Sequence, residues 1–489
     1  MTKYYITSSI PYVNAPPHLG FALELVQQDV LARYHRLLDE EVHVQIGTDE
    51  HGLKIWQMAE KAKKSAPEFA AEMSQKFLEL ADLLNISYSD FIRTTDQARH
   101  WPVAQELWRK CAAAGDIVKR KYGGWYCVGC EAFKKDDDLR DGLCSDHQKK
   151  PVWQEEENYF FLLSKYQKFL QDYFKKHKDF VVPASRRQEM LALLERGLED
   201  ISISRLKENL PWGVPVPGDP TQVMYVWFDA LTNYLSAVTD PADSKIFKKW
   251  WPADVHLVGK DINRWHSLLW PAMLKSAGLE LPKQILVHGF VSSGGQKMSK
   301  SLGNVVDPVE IIKKYGVDAT RYYLLREIPS DGDGDFTIEK FAQRYQADLA
   351  NGLGNLVARV ARLAEGQNVT GKSEKVWSAH TKKVSEAQKN AMQNFKLHEG
   401  VGAVWEFIGA CDEYVEQTKP WTLAKTDPDK FSQILYTLCD NLRLIACWLR
   451  PYLPETAEKI KNTLGLEDLD KQPKTYKNVH KGGGLFPRL

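Results

Sequence analysis

Apolar positions change their period twice within the first fifty residues. Tyr4 to Ser9 reads as an extended run, Pro11 to Pro17 interrupts it, His18 to Leu37 carries apolar residues at helical spacing, and Val42 to Gly47 is extended again. This order predicts a βαβ unit. A second such unit is expected much later, with strands at Val255 to Val258 and Ile285 to Val291 around a helix at Ile262 to Ala277. Two halves of one parallel sheet are thus separated by an insertion. That insertion holds a cysteine cluster, acidic and basic runs, and a Pro-rich stretch from Pro211 to Pro220 where neither helix nor central strand is expected. Beyond about residue 346 the strand signals fade, while Leu349, Leu353, Leu356, Val357 and Val360 share one helical face, which predicts an all-helical C-terminal domain. The chain shows no internal repeat and no low-complexity segment.

Composition adds bounds. A chain of 489 residues with 43% hydrophobic and 26% charged positions is a globular protein of two to four domains. Neither a basic-then-apolar leader nor about 18 uninterrupted apolar residues occurs, so a cytoplasmic protein with no membrane partner is expected. The formal charge of +1 gives no global sign of nucleic acid. DNA is not expected, and any RNA contact must rest on local surfaces. Three of the seven cysteines fall in one window while Cys111, Cys411, Cys439 and Cys447 are scattered, the usage of a reducing compartment. The window itself reads Cys127-Val128-Gly129-Cys130, thirteen further residues, then Cys144-Ser145-Asp146-His147. Three thiolates and an imidazole suit tetrahedral zinc, and four protein ligands leave no open position, so the metal is expected to be structural. A redox Cys-x-x-Cys is the rival reading, but it leaves the second pair unexplained.

Two further segments carry chemistry. Pro17-His18-Leu19-Gly20 lies where the first strand gives way to a helix, beside free N–H groups that favour a phosphate. Gly20 is expected to let a flat base approach the backbone. A histidine that merely caps the helix is the alternative. Gly294 to Ser301 reads Gly-Gly-Gln-Lys-Met-Ser-Lys-Ser, a glycine loop with two lysines and two hydroxyls after a predicted strand, suited to closing over a polyphosphate.

Taken in order, the two segments resemble the signatures of the class I aminoacyl-tRNA synthetases, His-Ile-Gly-His and Lys-Met-Ser-Lys-Ser. The resemblance narrows to methionyl-tRNA synthetases through Ser8-Ser9-Ile10-Pro11-Tyr12-Val13-Asn14, Gly47-Thr48-Asp49-Glu50-His51-Gly52, Val226-Trp227-Phe228-Asp229-Ala230-Leu231, Gly259 to Ser267 and Trp270-Pro271-Ala272-Met273. It covers nearly the whole chain. Two departures stand out: Phe21 replaces the second histidine of the first signature, and Leu231 takes a place that is proline in some members.

The resemblance implies an α/β protein: a split Rossmann-like parallel-sheet catalytic domain with an inserted zinc-binding module and a C-terminal all-α anticodon-binding domain. The expected boundaries are 1–115 and 226–290 for the two catalytic halves and 116–225 for the insertion, whose zinc knuckle spans 127–147. Residues 291–345 would carry the lysine loop and a tRNA-stem contact, and 346–489 the anticodon domain. ATP would meet His18, Gly20, Lys297, Met298, Ser299, Lys300 and Ser301, with Mg²⁺ on its phosphates and His18, Lys297 and Lys300 as the catalytic groups. L-Methionine would bind through Asp49 for its ammonium and Ile10, Tyr12, Trp227, Ala230, Tyr234, Ile262, Trp265 and His266 for its side chain. The physical demand is an apolar slot, because a thioether sulfur is a weak acceptor that favours aromatic contact. Core packing is the plain alternative for each aromatic, and a turn residue for Asp49. The anticodon of tRNA(Met) would meet Asn355, Arg359, Pro420 and Trp421. Asn355 and Arg359 are four apart and share a helix face. Lys313, Lys314, Arg321 and Arg326 are candidates for the tRNA backbone or simply solvated charges.

Other readings make different demands. A branched-chain synthetase would need an insertion larger than the roughly 110 residues present here. A cysteine enzyme would hold zinc in its pocket, and a nucleotidylyltransferase would leave the helical domain, Trp227 and His266 unexplained. A non-catalytic RNA-binding relative draws on Phe21 alone. With no appended domain visible before Leu489, a monomer is expected.

Overall fold

The computed structural model describes residues 2–127, 132–134, 139–145, 148–240, 242–297 and 306–487. Contacts divide the chain into two compact units. The first comprises Met1–Pro17, Asp39–Asp82 and Ser87–His288, and the second His18–Leu38, Leu83–Ile86 and Gly289–Leu489.

The first unit is built on a six-stranded sheet in the order Asp90–Arg93, Glu41–Thr48, Lys3–Ser8, Val255–Gly259, Gln284–His288, Val181–Val182. Every pairing is parallel. The two central strands come from the two predicted halves, with Ile6 opposite Val255 and Ser8 opposite Leu257. Val255–Gly259 is buried along its whole length, as a strand covered on both faces must be. One apolar core gathers Tyr5, Trp108, Phe228, Tyr234, Trp265 and Trp270, and another Leu170, Phe174, Phe180, Ile285 and Val287. Within 116–225 the chain forms antiparallel sheets, the larger ordered Ile201–Ser202, Val152–Phe161, Ile117–Cys127, Ala132–Lys134, but Val181–Val182 of the same stretch joins the edge of the parallel sheet, so the expected insertion is not wholly separate from it.

Three local expectations change. Asp219–Met224 is the central strand of a three-stranded sheet despite Pro220, which sits next to its first residue, where the ladder to Pro215–Val216 is irregular. The helix expected from Ile262 to Ala277 is instead a 3-10 turn at Lys260–Ile262, a π-helical turn at Trp265–Leu269 and an α-helix at Trp270–Ser276. Pro271 has no N–H to continue an α-helical ladder, and the Trp270 N–H reaches back five residues to the Trp265 carbonyl. The strand expected from Ile285 to Val291 ends at His288, and Val291–Ser293 pairs separately with Gly334–Phe336. At the break, a side chain on Gly289 would stand 2.1 Å from the Gly332 carbonyl oxygen, so only glycine fits.

The second unit is predominantly helical. Leu349, Leu353, Leu356, Val357 and Val360 are all buried, as their spacing predicts. A two-residue ladder between Val369–Thr370 and Thr475–Tyr476 is the one strand pair of the C-terminal region among the described residues. Arg321 is a correction. It is fully buried, paired with Asp29 at 2.7 Å and donating to the carbonyls of Leu84, Pro451 and Tyr452, so it holds the fold rather than RNA. Lys313 is exposed beside Glu310.

Candidate active site

At the carboxyl edge of the parallel sheet, the loops after Lys3–Ser8 and Glu41–Thr48 are stitched together. The Asp49 N–H donates to the Pro11 carbonyl at 2.9 Å and the Val13 N–H to the Asp49 carbonyl at 3.2 Å, setting Tyr12 beside Asp49. Ligands collect at such an edge. Ile10 lies against Gly47, where a Cβ would stand 3.1 Å from its side chain and 2.2 Å from the Ile92 carbonyl oxygen. Asp49 itself is 4% exposed.

Most of the residues expected to line an apolar slot do come together. Tyr12, Trp227 and Ile262 are partly buried and pack on the core that contains Tyr234 and Trp265. Trp227 and Trp265 stack at 4.9 Å and 14°, and His266 meets Trp227 edge-on at 6.2 Å. Ala230 is buried three residues after Trp227 on the helix Val226–Leu231, which places both on one face. The π-helical turn carries both Trp265 and His266.

Hydrogen bonds assign the protons in this cluster. His266 Nδ1 faces the Ile262 carbonyl at 3.0 Å and therefore donates. Burial pushes the His266 ring down to about 4, so Nε2 is bare and accepts from the Tyr234 hydroxyl at 2.7 Å. Tyr234 also stacks on His256 at 4.3 Å, and its carbonyl accepts from the Tyr5 hydroxyl. His256 takes the Trp270 indole N–H on Nε2 and donates from Nδ1 to the Thr7 hydroxyl at 2.7 Å. Burial, with His266 nearby, holds it far below the ordinary histidine value. A wall of aromatic rings is thus backed by two neutral imidazoles.

Behind that wall lies a network that sequence reasoning passed over. Asp229, fully buried, accepts from His51 Nδ1 at 2.6 Å and from His100 Nε2 at 2.7 Å. His100 also contacts the Ser236 hydroxyl at 2.9 Å. Burial works to raise the Asp229 carboxyl, but the two histidines outweigh it and hold it below the usual range. Asp229 and His51 stood inside stretches already singled out, yet their partners lie 178 and 129 residues away along the chain, and no local pattern announces such pairs.

In the second unit, His18 caps the helix Leu19–Leu37. Its Nδ1 accepts the Gly20 N–H at 3.0 Å, which leaves Nε2 as the donating nitrogen of the neutral ring. Gly20 has a structural task that differs from the expected one: a Cβ there would lie 2.8 Å from the His18 ring. Phe21 is buried. The lysine loop starts from a hairpin in which Ser292 opposes Lys297 across Gly294 and Gly295, whose φ angles of 61° and 75° favour glycine. Asp335 anchors the hairpin base, accepting from the Gly295 N–H and the Ser292 hydroxyl, each at 2.7 Å, and those bonds hold its carboxyl low. Met298, Ser299, Lys300 and Ser301 lie outside the described residues, as does the Lys297 side chain.

The expected metal ligands are partly in view. Cys127 ends a strand in the hairpin with Ala132, and Cys144 lies opposite Leu139, both thiols buried. The Cys144 carbonyl accepts the Gln148 N–H at 2.8 Å. Two buried thiols on short antiparallel strands suit thiolate ligands of zinc. Cys130 and His147 lie outside the described residues, and no cluster of three metal-binding groups occurs among those described.

On the helical side, Arg359 pairs with Glu416 at 2.8 Å and sets its guanidinium over the Trp421 ring at 5.5 Å. Trp421 is 46% exposed, next to buried Pro420 at the start of its helix. Asn355 begins the helix that carries Arg359.

A split parallel sheet, a histidine-capped helix start and a glycine-lysine hairpin are the parts of a class I synthetase. Residues 4–145 and 134–361 match the family model described as tRNA synthetases class I (M), and 363–482 match the anticodon binding domain of methionyl tRNA ligase. The chain is 42% identical to the methionine-tRNA ligase of Thermotoga maritima, covering 95% of this chain and 76% of that protein. With the Brucella suis enzyme of the same name, identity is 41% over 95% and 92% of the two chains. Mycobacterium tuberculosis methionyl-tRNA synthetase in complex with methionyl-adenylate superimposes with a TM-score of 0.95 at 39% identity, covering 100% of both chains. Its apo form gives 0.87 at 36%, covering 100% and 98%. The chain belongs to the methionine-tRNA ligase family. No helix among the described residues is long and apolar enough to cross a membrane.

Proposed function

We propose that this protein activates L-methionine with ATP to methionyl-adenylate and transfers the methionyl group to the 3′-terminal adenosine of tRNA(Met). The amino-acid assignment is carried by the Tyr234–His266 hydrogen bond beside the stacked Trp227 and Trp265. Because that imidazole is neutral, the pocket offers rings and a hydroxyl already engaged, a surroundings that suits an uncharged thioether. Asp49, buried at the sheet edge, would pair with the methionine ammonium. Ile10, Tyr12, Ala230 and Ile262 would complete the contact with the side chain.

In the first step a methionine carboxylate oxygen attacks the α-phosphorus in line, the bond to the bridging oxygen breaks, and pyrophosphate departs with its charge. No nucleophilic side chain is required; positioning and charge stabilisation suffice. His18 would give its Nε2–H to a phosphate oxygen at the helix start, its ring held in place by the Gly20 N–H on Nδ1. Lys297 and Lys300 would meet the pyrophosphate, with Met298, Ser299 and Ser301 shaping the loop. Mg²⁺ on the phosphates would supply further neutralisation. In the second step the 2′-hydroxyl of the terminal adenosine attacks the acyl carbonyl and AMP leaves.

Zinc would be held by Cys127, Cys130, Cys144 and His147 and would brace the insertion. Asn355, Arg359, Pro420 and Trp421 would read the anticodon, with a base stacked on the exposed indole. The working state is a cytoplasmic monomer. The boundaries 1–115, 116–225, 226–290, 291–345 and 346–489 remain our functional division of the chain.

Amino-acid-dependent ATP–pyrophosphate exchange tests this reading, with methionine, leucine, isoleucine, valine and cysteine assayed separately and Lys297→Ala as control. Exchange with methionine alone, abolished in the control, is expected. Exchange favouring another amino acid would overturn the pocket assignment.

A further inference from the structure

We propose that Asp229 is a positioning residue for methionine, its buried carboxylate locking the loop that carries Asp49 to the helix that carries Trp227 and Ala230. The inference rests on the methionine-binding reading above and adds to it how the two sides of the pocket are kept in register. Asp229 lies on the helix Val226–Leu231, two residues after Trp227 and one before Ala230. His51 lies two residues after Asp49, and its N–H approaches Asp49 Oδ1 at 3.5 Å. Their link, at 2.6 Å, joins the group proposed for the ammonium to the groups proposed for the thioether.

Several observations say that this link is the controlling one. His51 Nε2 is buried and has no hydrogen-bond partner among the described residues, so Nδ1 is the ring's polar anchor. The other Asp229 oxygen is held by His100, which precedes the helix Trp101–Ala113 and also meets Ser236. The carboxylate is therefore fixed at both ends, and all three side chains are between 0% and 1% exposed. Trp212 closes the loop from another side, its indole N–H on the Glu50 carbonyl at 2.6 Å and its ring edge-on to His51 at 5.1 Å. A charge-assisted bond in such a dry setting is strong and directional. Without it, the loop and the helix keep their own folds but lose their shared register, and a displacement on the order of 1 Å at a binding group costs much of its interaction.

The test is Asp229→Asn, which keeps the shape and removes the charge, with His100→Asn as the second variant should the first not fold. His100→Asn loosens the carboxylate without touching His51. Methionine-dependent pyrophosphate exchange yields KM for methionine, KM for ATP and kcat, and tryptophan fluorescence yields the methionine Kd directly. In Asp229→Asn the KM and Kd for methionine are expected to rise about tenfold or more, with KM for ATP within about twofold of wild type. His100→Asn is expected to shift the same two quantities in the same direction by a smaller factor. A purely structural role would instead lower the active fraction at unchanged KM, or raise both KM values together, and either result overturns the proposal. Unchanged methionine affinity in a folded variant overturns it as well. Failure of the underlying reading is distinguishable, because the wild-type protein would then show no methionine-dependent exchange at all.

Discussion

Trp265 and Trp421 are the same side chain in opposite circumstances. Trp265 is 9% exposed, stacked on Trp227 and part of the main core. Trp421 is 46% exposed and is approached by Arg359, which is itself paired with a glutamate whose side chain is 63% exposed. The charged groups nearby differ in the same sense. Asp229 and its two histidines are sealed from water, where losing one partner of a buried pair costs about 3–5 kcal/mol. The Arg359–Glu416 pair is a surface ion pair of roughly 0–1 kcal/mol, which a ligand can displace at little cost. The proposed methionine pocket is best built before its ligand arrives, since every fixed contact lowers the cost of binding. The proposed anticodon surface must instead leave its ring available for an unstacked base to stack on.

The comparison breaks most sharply under one substitution made twice. Trp265→Ala is expected to lower stability by about 3–5 kcal/mol in urea unfolding, because it empties a packed site, and to weaken methionine binding with it. A loss below about 1 kcal/mol would show that the stacked pair is less tightly packed than its geometry indicates.

A smaller effect follows from His266. Its folded-state value of about 4 lies below the ordinary histidine value near 6.5. As pH falls through that window the unfolded chain takes up a proton that the folded protein refuses. Stability is therefore unaffected above about 6.5, declines between roughly 6.5 and 4, and levels off below, a loss of about 3 kcal/mol from this group. His266→Asn should flatten this acid limb in urea titrations at stepped pH; an unchanged limb would mean that other groups set it.

Trp421→Ala is expected to leave stability within about 0.5 kcal/mol while weakening tRNA(Met) binding by about 1–3 kcal/mol at fixed salt. Filter binding or anisotropy measures it. A large loss of stability with unchanged tRNA affinity would place Trp421 with Trp265 and erase the contrast.

Much of this was legible in the chain. Tyr4 to Ser9 and Val255 to Val258 read as strands because aromatic and β-branched residues cluster in short runs there, and Lys3–Ser8 and Val255–Gly259 are indeed paired at the sheet centre. The spacing of Leu349 to Val360 marked a buried helix face because residues three and four apart line one side of a helix. Of the candidate site, the stretches bearing Asp49, Trp227, Trp265 and His266 were recognisable as motifs. Other features were not. Arg321 reads as one more helical cation until Asp29 and three carbonyl oxygens surround it. The π-helical turn depends on how Pro271 and the core divide the hydrogen bonds of Trp265–Leu269, and periodicity does not show that. The break after His288 is set by the approach of Gly332, which the sequence near Gly289 does not show.

The sequence by itself determined most of the elements, their apolar faces and the residue types available for chemistry, because period and side-chain polarity are local properties. Only the tertiary structure decided which of those residues meet and where their protons sit. His266 is neutral because burial strips its ring of water and the Ile262 carbonyl and Tyr234 hydroxyl claim its two nitrogens. Asp229 stays charged because His51 and His100 converge on it from distant parts of the chain. Protonation depends on the dielectric and the partners at a point in space, and both are assembled by contacts that no segment of the chain contains alone.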